Sequence, residues 1–187
     1  MDTRSTTVPP KKYPLALRVL HWVRAILIGA QLWTGWTMMR LDDSVPEKYH
    51  WYYPHHKEFG LLTLLVVLTQ LTIRWMKPLP PMPPTLPTLD RKLAKTAHYL
   101  LYTLAIVVPL MGYSLSSTYT QSAGIHFFSL HVPELLPKND NWFAVFDWLH
   151  KVLAYTLLVV IAVHIVGALK HRLFDKNREN DVLRQIL

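Results

Sequence analysis

Four long apolar stretches constrain this chain more than any other feature: about Leu15 to Met39, about His56 to Met76, about Ala97 to Ser117 and about Trp148 to Leu169. At a rise of about 1.5 Å per residue, each is long enough to cross roughly 30 Å of hydrocarbon. Every backbone polar group must be satisfied inside the segment there, so an isolated strand or an open sheet edge is excluded. The expected fold is all-α, a four-helix transmembrane bundle forming a single membrane domain over residues 1–187. Composition agrees: 51% hydrophobic and 17% charged residues leave too little polar surface for an ordinary soluble domain.

The connections carry less pattern. Lys77 to Lys95 includes the Pro-rich run Pro78 to Pro87, which cannot continue a helix and reads as a stiff extended connector. Thr118 to Asp147 is longer, Pro-broken and without periodicity, and no internal repeat is evident. Met1 to Tyr13 is polar and is not read as a cleaved signal peptide.

The net charge of +8 raises nucleic acid as a partner, but the basic residues gather at the ends of the apolar runs instead of forming one patch. No nucleic-acid partner is expected. Of the 20 Lys and Arg residues, 15 fall on the side that holds both termini and the Pro-rich connector; Arg40, Lys48, Lys57, Lys138 and Lys151 fall on the other. By the positive-inside rule both termini are cytoplasmic.

The chain has no cysteine. That excludes disulfides, thiolate-bound iron–sulfur or zinc centres, and covalent attachment of a c-type haem. Phosphate-binding glycine loops, G-x-S-x-G elbows and H-E-x-x-H motifs are also absent, so hydrolase readings have no support.

What remains is a set of histidines in the spans, His21, His56, His98, His150 and His164, where an ionisable residue is costly and usually functional. His150 and His164 are 14 residues apart, which returns them to nearly one helix face about 21 Å apart along the axis. One helix thus offers ligands at two levels. His56 opens the second stretch on the side where His150 opens the fourth. His21 lies near the start of the first, level with His164 near the end of the fourth. The pairs His56/His150 and His21/His164 make two bis-histidine sites stacked across the membrane, suited to two low-spin haems for electron transfer.

A macrocycle needs small residues one turn from each ligand. His21 is followed by Ala25, His56 by Gly60, His150 by Ala154, and His164 by Gly167 and Ala168, whereas His98 has Leu101 and Tyr102. Buried propionates need cations or donors, for which Arg24 and Arg74 are candidates on the inner side. His98, at the same level, is a candidate for a propionate or as a replacement ligand. Glu47 and His50 form one loop Glu-x-x-His, short of the paired motifs of a di-iron bundle. His50, His55, His126 and His131 lie on loops outside the spans, near Pro and aromatic residues, and read as solvated or interfacial rather than as a metal site.

Leu20-His21-Trp22, His56-Lys57-Glu58-Phe59-Gly60, His98-Tyr99-Leu100-Leu101-Tyr102 and the His150 to His164 spacing resemble prokaryotic cytochrome b561. The resemblance runs from Tyr13 to Leu183. It implies a four-helix bundle in the bacterial cell inner membrane holding two haem b groups, with His21, His56, His150 and His164 at the matching ligand positions. It also implies electron exchange between an outer-face donor or acceptor and membrane quinone such as ubiquinone, for which His98 is a candidate contact and His171, in the basic tail of the fourth helix, a weaker one. One branch of the family resembles a superoxide oxidase, and Lys57 and Lys151, directly after the outer ligands, would guide the anion. The outer side as a whole carries 5 basic against 7 acidic residues. Two other functions compete: a cytochrome b anchor subunit serving a separate redox protein, as in hydrogenases and formate dehydrogenases, and a haem-free transporter relaying protons through its histidines.

Overall fold

The computed structural model describes residues 12–175 and 177–187. Arg4, Lys11 and Lys176, counted above toward the inner-side charge, lie outside the described residues, as does the side chain of Arg178. The four apolar stretches form helices α1 (Leu15–Arg40), α2 (Tyr53–Met76), α3 (Thr88–Thr118) and α4 (Asp140–Leu173), all long and apolar enough to span a membrane. A short helix, α5 (Leu183–Ile186), follows near the end of the chain. The expected four-helix bundle is the observed architecture.

Three helix ends differ from the sequence expectation. α3 starts nine residues before Ala97, directly after Pro87, because only the run 78–87 breaks the helix and Thr88 to Thr96 continues it in polar form. α4 starts eight residues before Trp148, where the Asn139 side chain accepts from the backbone N–H groups of Asn141 and Trp142 and so caps the free donors of the first turn. α2 is preceded by a π-helical turn, Lys48–Tyr52, which makes residues 48–76 one continuous candidate span. All three extensions carry polar residues, which hydropathy assigns to loops.

The bundle is arranged for lipid. Large apolar side chains cover its outside, with Trp75 95% and Ile26 70% exposed, while Thr34, Thr63, Gln70, Ser116 and Ser117 are buried inside. Ile28, Val67, Leu104, Ala105 and Leu157 meet at the middle as an apolar core. Leu157 stands seven residues from each of His150 and His164, so this layer divides the interior into two compartments, labelled outer toward the α3–α4 connection and inner toward the described chain ends, after the expected orientation. α3 packs closely on α4, α1 on α2, and α2 on α3; α1 and α2 make little close contact with α4. The seams along α4 that face α1 and α2 are therefore the loosely packed ones.

The connection between α3 and α4, expected to lack pattern, holds a small antiparallel hairpin of β1 (Ile125–Phe127) and β2 (Leu130–Val132). Ile125 is buried against the outer end of the bundle, and Lys57 Nζ donates to the Gly124 carbonyl at 3.2 Å, tying the hairpin to α2.

Candidate functional site

In the outer compartment the rings of His56 (α2) and His150 (α4) face one another with centroids 6.0 Å apart and planes at 86°. Metal–imidazole nitrogen bonds are about 2 Å, which puts two imidazoles in line across one ion with their centroids about 6 Å apart. The spacing fits.

The hydrogen bonds fix which nitrogen is available. His150 Nδ1 lies 2.9 Å from the Val108 carbonyl, which can only accept, so Nδ1 carries the proton and Nε2 the free lone pair. His56 Nδ1 lies 3.0 Å from Thr34 Oγ1. The Thr34 hydroxyl donates to the carbonyls of Ala30 and Gln31 at 2.9 and 3.1 Å, which leaves its oxygen to accept from His56 Nδ1–H, and the Gln31 side-chain amide stands 3.0 Å from the same Nδ1. Both histidines are held as metal-ligating histidines usually are, by a partner on the second ring nitrogen.

The room for these rings comes from helices that carry no outer ligand. A Cβ at Gly35 in α1 would stand 3.3 Å from His56 Cε1, and one at Gly112 in α3 would stand 3.1 Å from His150 Cε1. A side chain at either position would require the ring to give by a few tenths of an ångström. Gly112 lies one turn beyond Val108, so a single face of α3 both seats and anchors His150. The small residues picked out on the ligand helices border open space: a Cβ at Gly60 would meet the Gln31 side chain at an ordinary 3.8 Å, and one at Gly167 would meet no protein atom within 4 Å.

The inner compartment holds more groups and fewer bonds. His98 (α3) and His164 (α4) have ring centroids 5.3 Å apart with planes at 61°. His21 (α1) is edge-on to its neighbour Trp22 at 5.4 Å, and His21, His164, Arg24 and Arg74 all lie within electrostatic range of His98. The guanidinium of Arg24 sits 4.7 Å over the Tyr102 ring, and that of Arg74 5.8 Å from the same ring. Neither arginine forms a salt bridge among the described residues, and Arg24 Nη1 is buried without a hydrogen-bond partner. Two cations in low dielectric with an orphaned donor form a seat for an anionic group. One turn from Arg74, the buried Gln70 also has an unpartnered Oε1.

The remaining candidates stand elsewhere. His171 is held by Asp175 at 2.9 Å and faces Asp90 at 3.7 Å, in a polar strap on the inner surface. Lys151 pairs with Asp147 at 2.6 Å, whereas Lys57 donates to the neutral Gly124 carbonyl at 3.2 Å and keeps its charge.

Residues 12–181 match the family described as prokaryotic cytochrome b561. The chain belongs to that family. It is also 27% identical over 183 residues to cytochrome b561 homolog 2 of Escherichia coli (strain K12), covering 98% of this chain and 95% of the relative. This is therefore a multi-pass, lipid-embedded cytochrome of electron transfer, from a family that binds haem b. The outer residues fit such a group in ring spacing, in free Nε2 atoms and in the glycine-lined space beside both rings. Sequence reasoning missed Thr34, Gly35, Val108 and Gly112. The only signal for them was the presence of glycines at the outer depth of helices without a ligand there.

Proposed function

We propose that this cytochrome holds two haem b groups, one at each level, and conducts single electrons between a donor at the hairpin face and quinone near the opposite face. The reading extends to a bacterial inner membrane with both termini in the cytoplasm, on the distribution of Lys and Arg. The observation that carries it is the His56/His150 pair, with in-line spacing and both Nδ1 atoms committed to Thr34 and Val108.

Haem b, when bound, would supply reversible one-electron transfer. The chain supplies the rest. His56 and His150 would hold the outer iron through Nε2, with Thr34 and Val108 keeping the two rings in the neutral tautomer that can ligate. The apolar layer around Leu157 and Val67 excludes water between the levels. For the inner iron, His21 and His164 are the proposed ligands, because α1 and α4 make little close contact, which suits a flat group held between them. His98 and His164 sit on the closely packed α3/α4 seam, and their 5.3 Å spacing is shorter than in-line ligation across a metal requires. That leaves His98 to hold a proton or hydrogen bond at a propionate or quinone, with Arg24 and Arg74 neutralising anionic oxygens. Lys57 and Lys151 remain the proposed guides for an anionic donor such as superoxide; the Asp147 carboxylate offsets the pull of Lys151.

A second reading, the anchor subunit for a separate redox protein, draws on the hairpin and the segment after it, where Phe128, Leu130 and Leu135 are 54, 63 and 76% exposed on the outer face. One experiment separates these readings. Purified protein is examined by reduced-minus-oxidised absorption and pyridine haemochrome, then mixed with quinol and with superoxide. Two b haems per chain that exchange electrons with quinone support the proposal, and reduction by superoxide assigns the donor. Two haems that stay inert without a partner favour the anchor subunit. Haem-supplied protein that contains none points to a proton-relaying transporter.

A further inference from the structure

We propose that His126 and His131 form an open binding site for a divalent transition-metal cation on the outer face, separate from the histidines of the spans. The two are directly paired across β1 and β2, so their side chains leave the hairpin on one face. Their ring centroids are 5.1 Å apart with planes at 90°. With bonds of about 2 Å, two imidazoles meeting one ion at a tetrahedral angle have centroids about 5 Å apart. The pair thus has the cis spacing of a metal site, in contrast to the wider in-line spacing of His56 and His150.

The nitrogens converge as well. A Cβ at Gly124 would stand 3.0 Å from His131 Nε2 and 3.8 Å from His126 Nε2, so both atoms border one small space. That space is open because residue 124 is glycine, and its φ of +87° makes any other residue there strained. Both histidines are exposed, and neither ring nitrogen has a hydrogen-bond partner among the described residues. His55, by contrast, is committed, with Nδ1 2.7 Å from the Trp51 carbonyl.

The described residues hold no group of three or more His, Cys, Asp or Glu placed to bind a metal, so water or an outside ligand would fill the other positions. Such an ion is exchangeable. Imidazole donors suit Zn²⁺, Cu²⁺ and Ni²⁺ rather than Mg²⁺ or Ca²⁺. Two charges modulate the site. Lys57, on the Gly124 carbonyl, opposes a cation; Glu134 favours one, linked through Ser122, whose Oγ donates to Glu134 at 2.8 Å and accepts from Gly124 N–H at 3.2 Å.

The test uses full-length haem-loaded protein purified without a polyhistidine tag. Zn²⁺ is titrated calorimetrically, and one equivalent of Cu²⁺ is examined by electron paramagnetic resonance. One ion per chain is expected, with imidazole nitrogen couplings from two rings. His126→Ala and His131→Ala should each weaken binding about tenfold or more and leave one coupled ring, with haem absorption unchanged. Lys57→Gln should tighten binding, which a metal site elsewhere on the chain would not show. Equal stoichiometry and affinity in the wild type and the double variant His126→Ala/His131→Ala would overturn the proposal. So would absence of a bound ion in the wild type.

Discussion

The outer and inner histidine sites are built from the same residue type at mirrored depths, yet they solve different problems. Outside, two histidines stand alone, each with one ring nitrogen bonded and a glycine against its edge. Inside, three histidines share a compartment with two arginines and a tyrosine, and Arg24 leaves a buried N–H unpartnered. The outer site is thus organised before anything binds, while the inner site carries excess donors and positive charge that are satisfied only by an anionic or polar guest. Preorganisation suits a group that only exchanges electrons. Unspent donors suit a place where charged or protonated molecules come and go.

The comparison breaks most visibly by removing ligands. His56→Ala or His150→Ala is expected to abolish one of the two haems and leave the other's spectrum intact; His21→Ala or His164→Ala should do the reverse. His98→Ala should retain both haems and impair quinone exchange. Haemochrome quantification checks all five, and loss of a haem in His98→Ala with retention in His21→Ala would reassign the inner ligands.

Gly112→Val tests the outer seat without touching a ligand. Its side chain must displace His150, which already lies 3.1 Å from a bare Cβ, and overpacking of this kind costs about 1–3 kcal/mol. The expected result is weakened or lost outer haem with the inner haem and helicity retained. Gly167→Val, beside His164 at the other level, should leave the outer haem unchanged and so serves as the control. Smaller again is Thr34→Val, which removes the acceptor for His56 Nδ1–H at similar volume. Loss of such a partner lowers metal affinity roughly 10–100-fold, so haem dissociation from the outer site should quicken while the inner rate holds.

What was legible from the residues follows the same divide. Hydropathy reports depth, because the membrane imposes it directly, so the four spans and the levels of His21, His56, His150 and His164 could be read. It does not report azimuth or helix neighbours. Gly35 and Gly112 sit on helices with no outer ligand, and only packing shows that they face His56 and His150. The polar first turns of α3 and α4 escaped because their helicity rests on caps and continuation rather than on apolar periodicity. The hairpin escaped because strands of three residues are too short to show alternation. His98 was recognised as different from its bulky neighbours, but its place beside His164 depends on how closely α3 packs on α4.

The smallest effect concerns the inner strap, which has no counterpart at the outer histidines. Asp175, just past α4, accepts hydrogen bonds from His171 at 2.9 Å and from Asn180 at 2.9 Å, and Thr85 in the Pro-rich connector donates to Asn180 at 2.7 Å. The bond from His171, then that from Asn180, hold the Asp175 carboxyl below its ordinary value of 3.8. A depressed folded value means that the carboxylate contributes fully above 3.8, and that this contribution fades as pH falls below 3.8 through the folded value. Docking of residues 177–187 should therefore loosen in acid, read as faster hydrogen exchange at Asn180 and Gln185 after correction for intrinsic rates. The outer haem spectrum should hold over the same range. Asp175→Asn keeps the shape without the charge and should flatten the response. If it instead leaves the acid loosening unchanged, the strap is governed by other carboxylates, with Asp90 and its contacts to Lys170 and His171 the next to substitute.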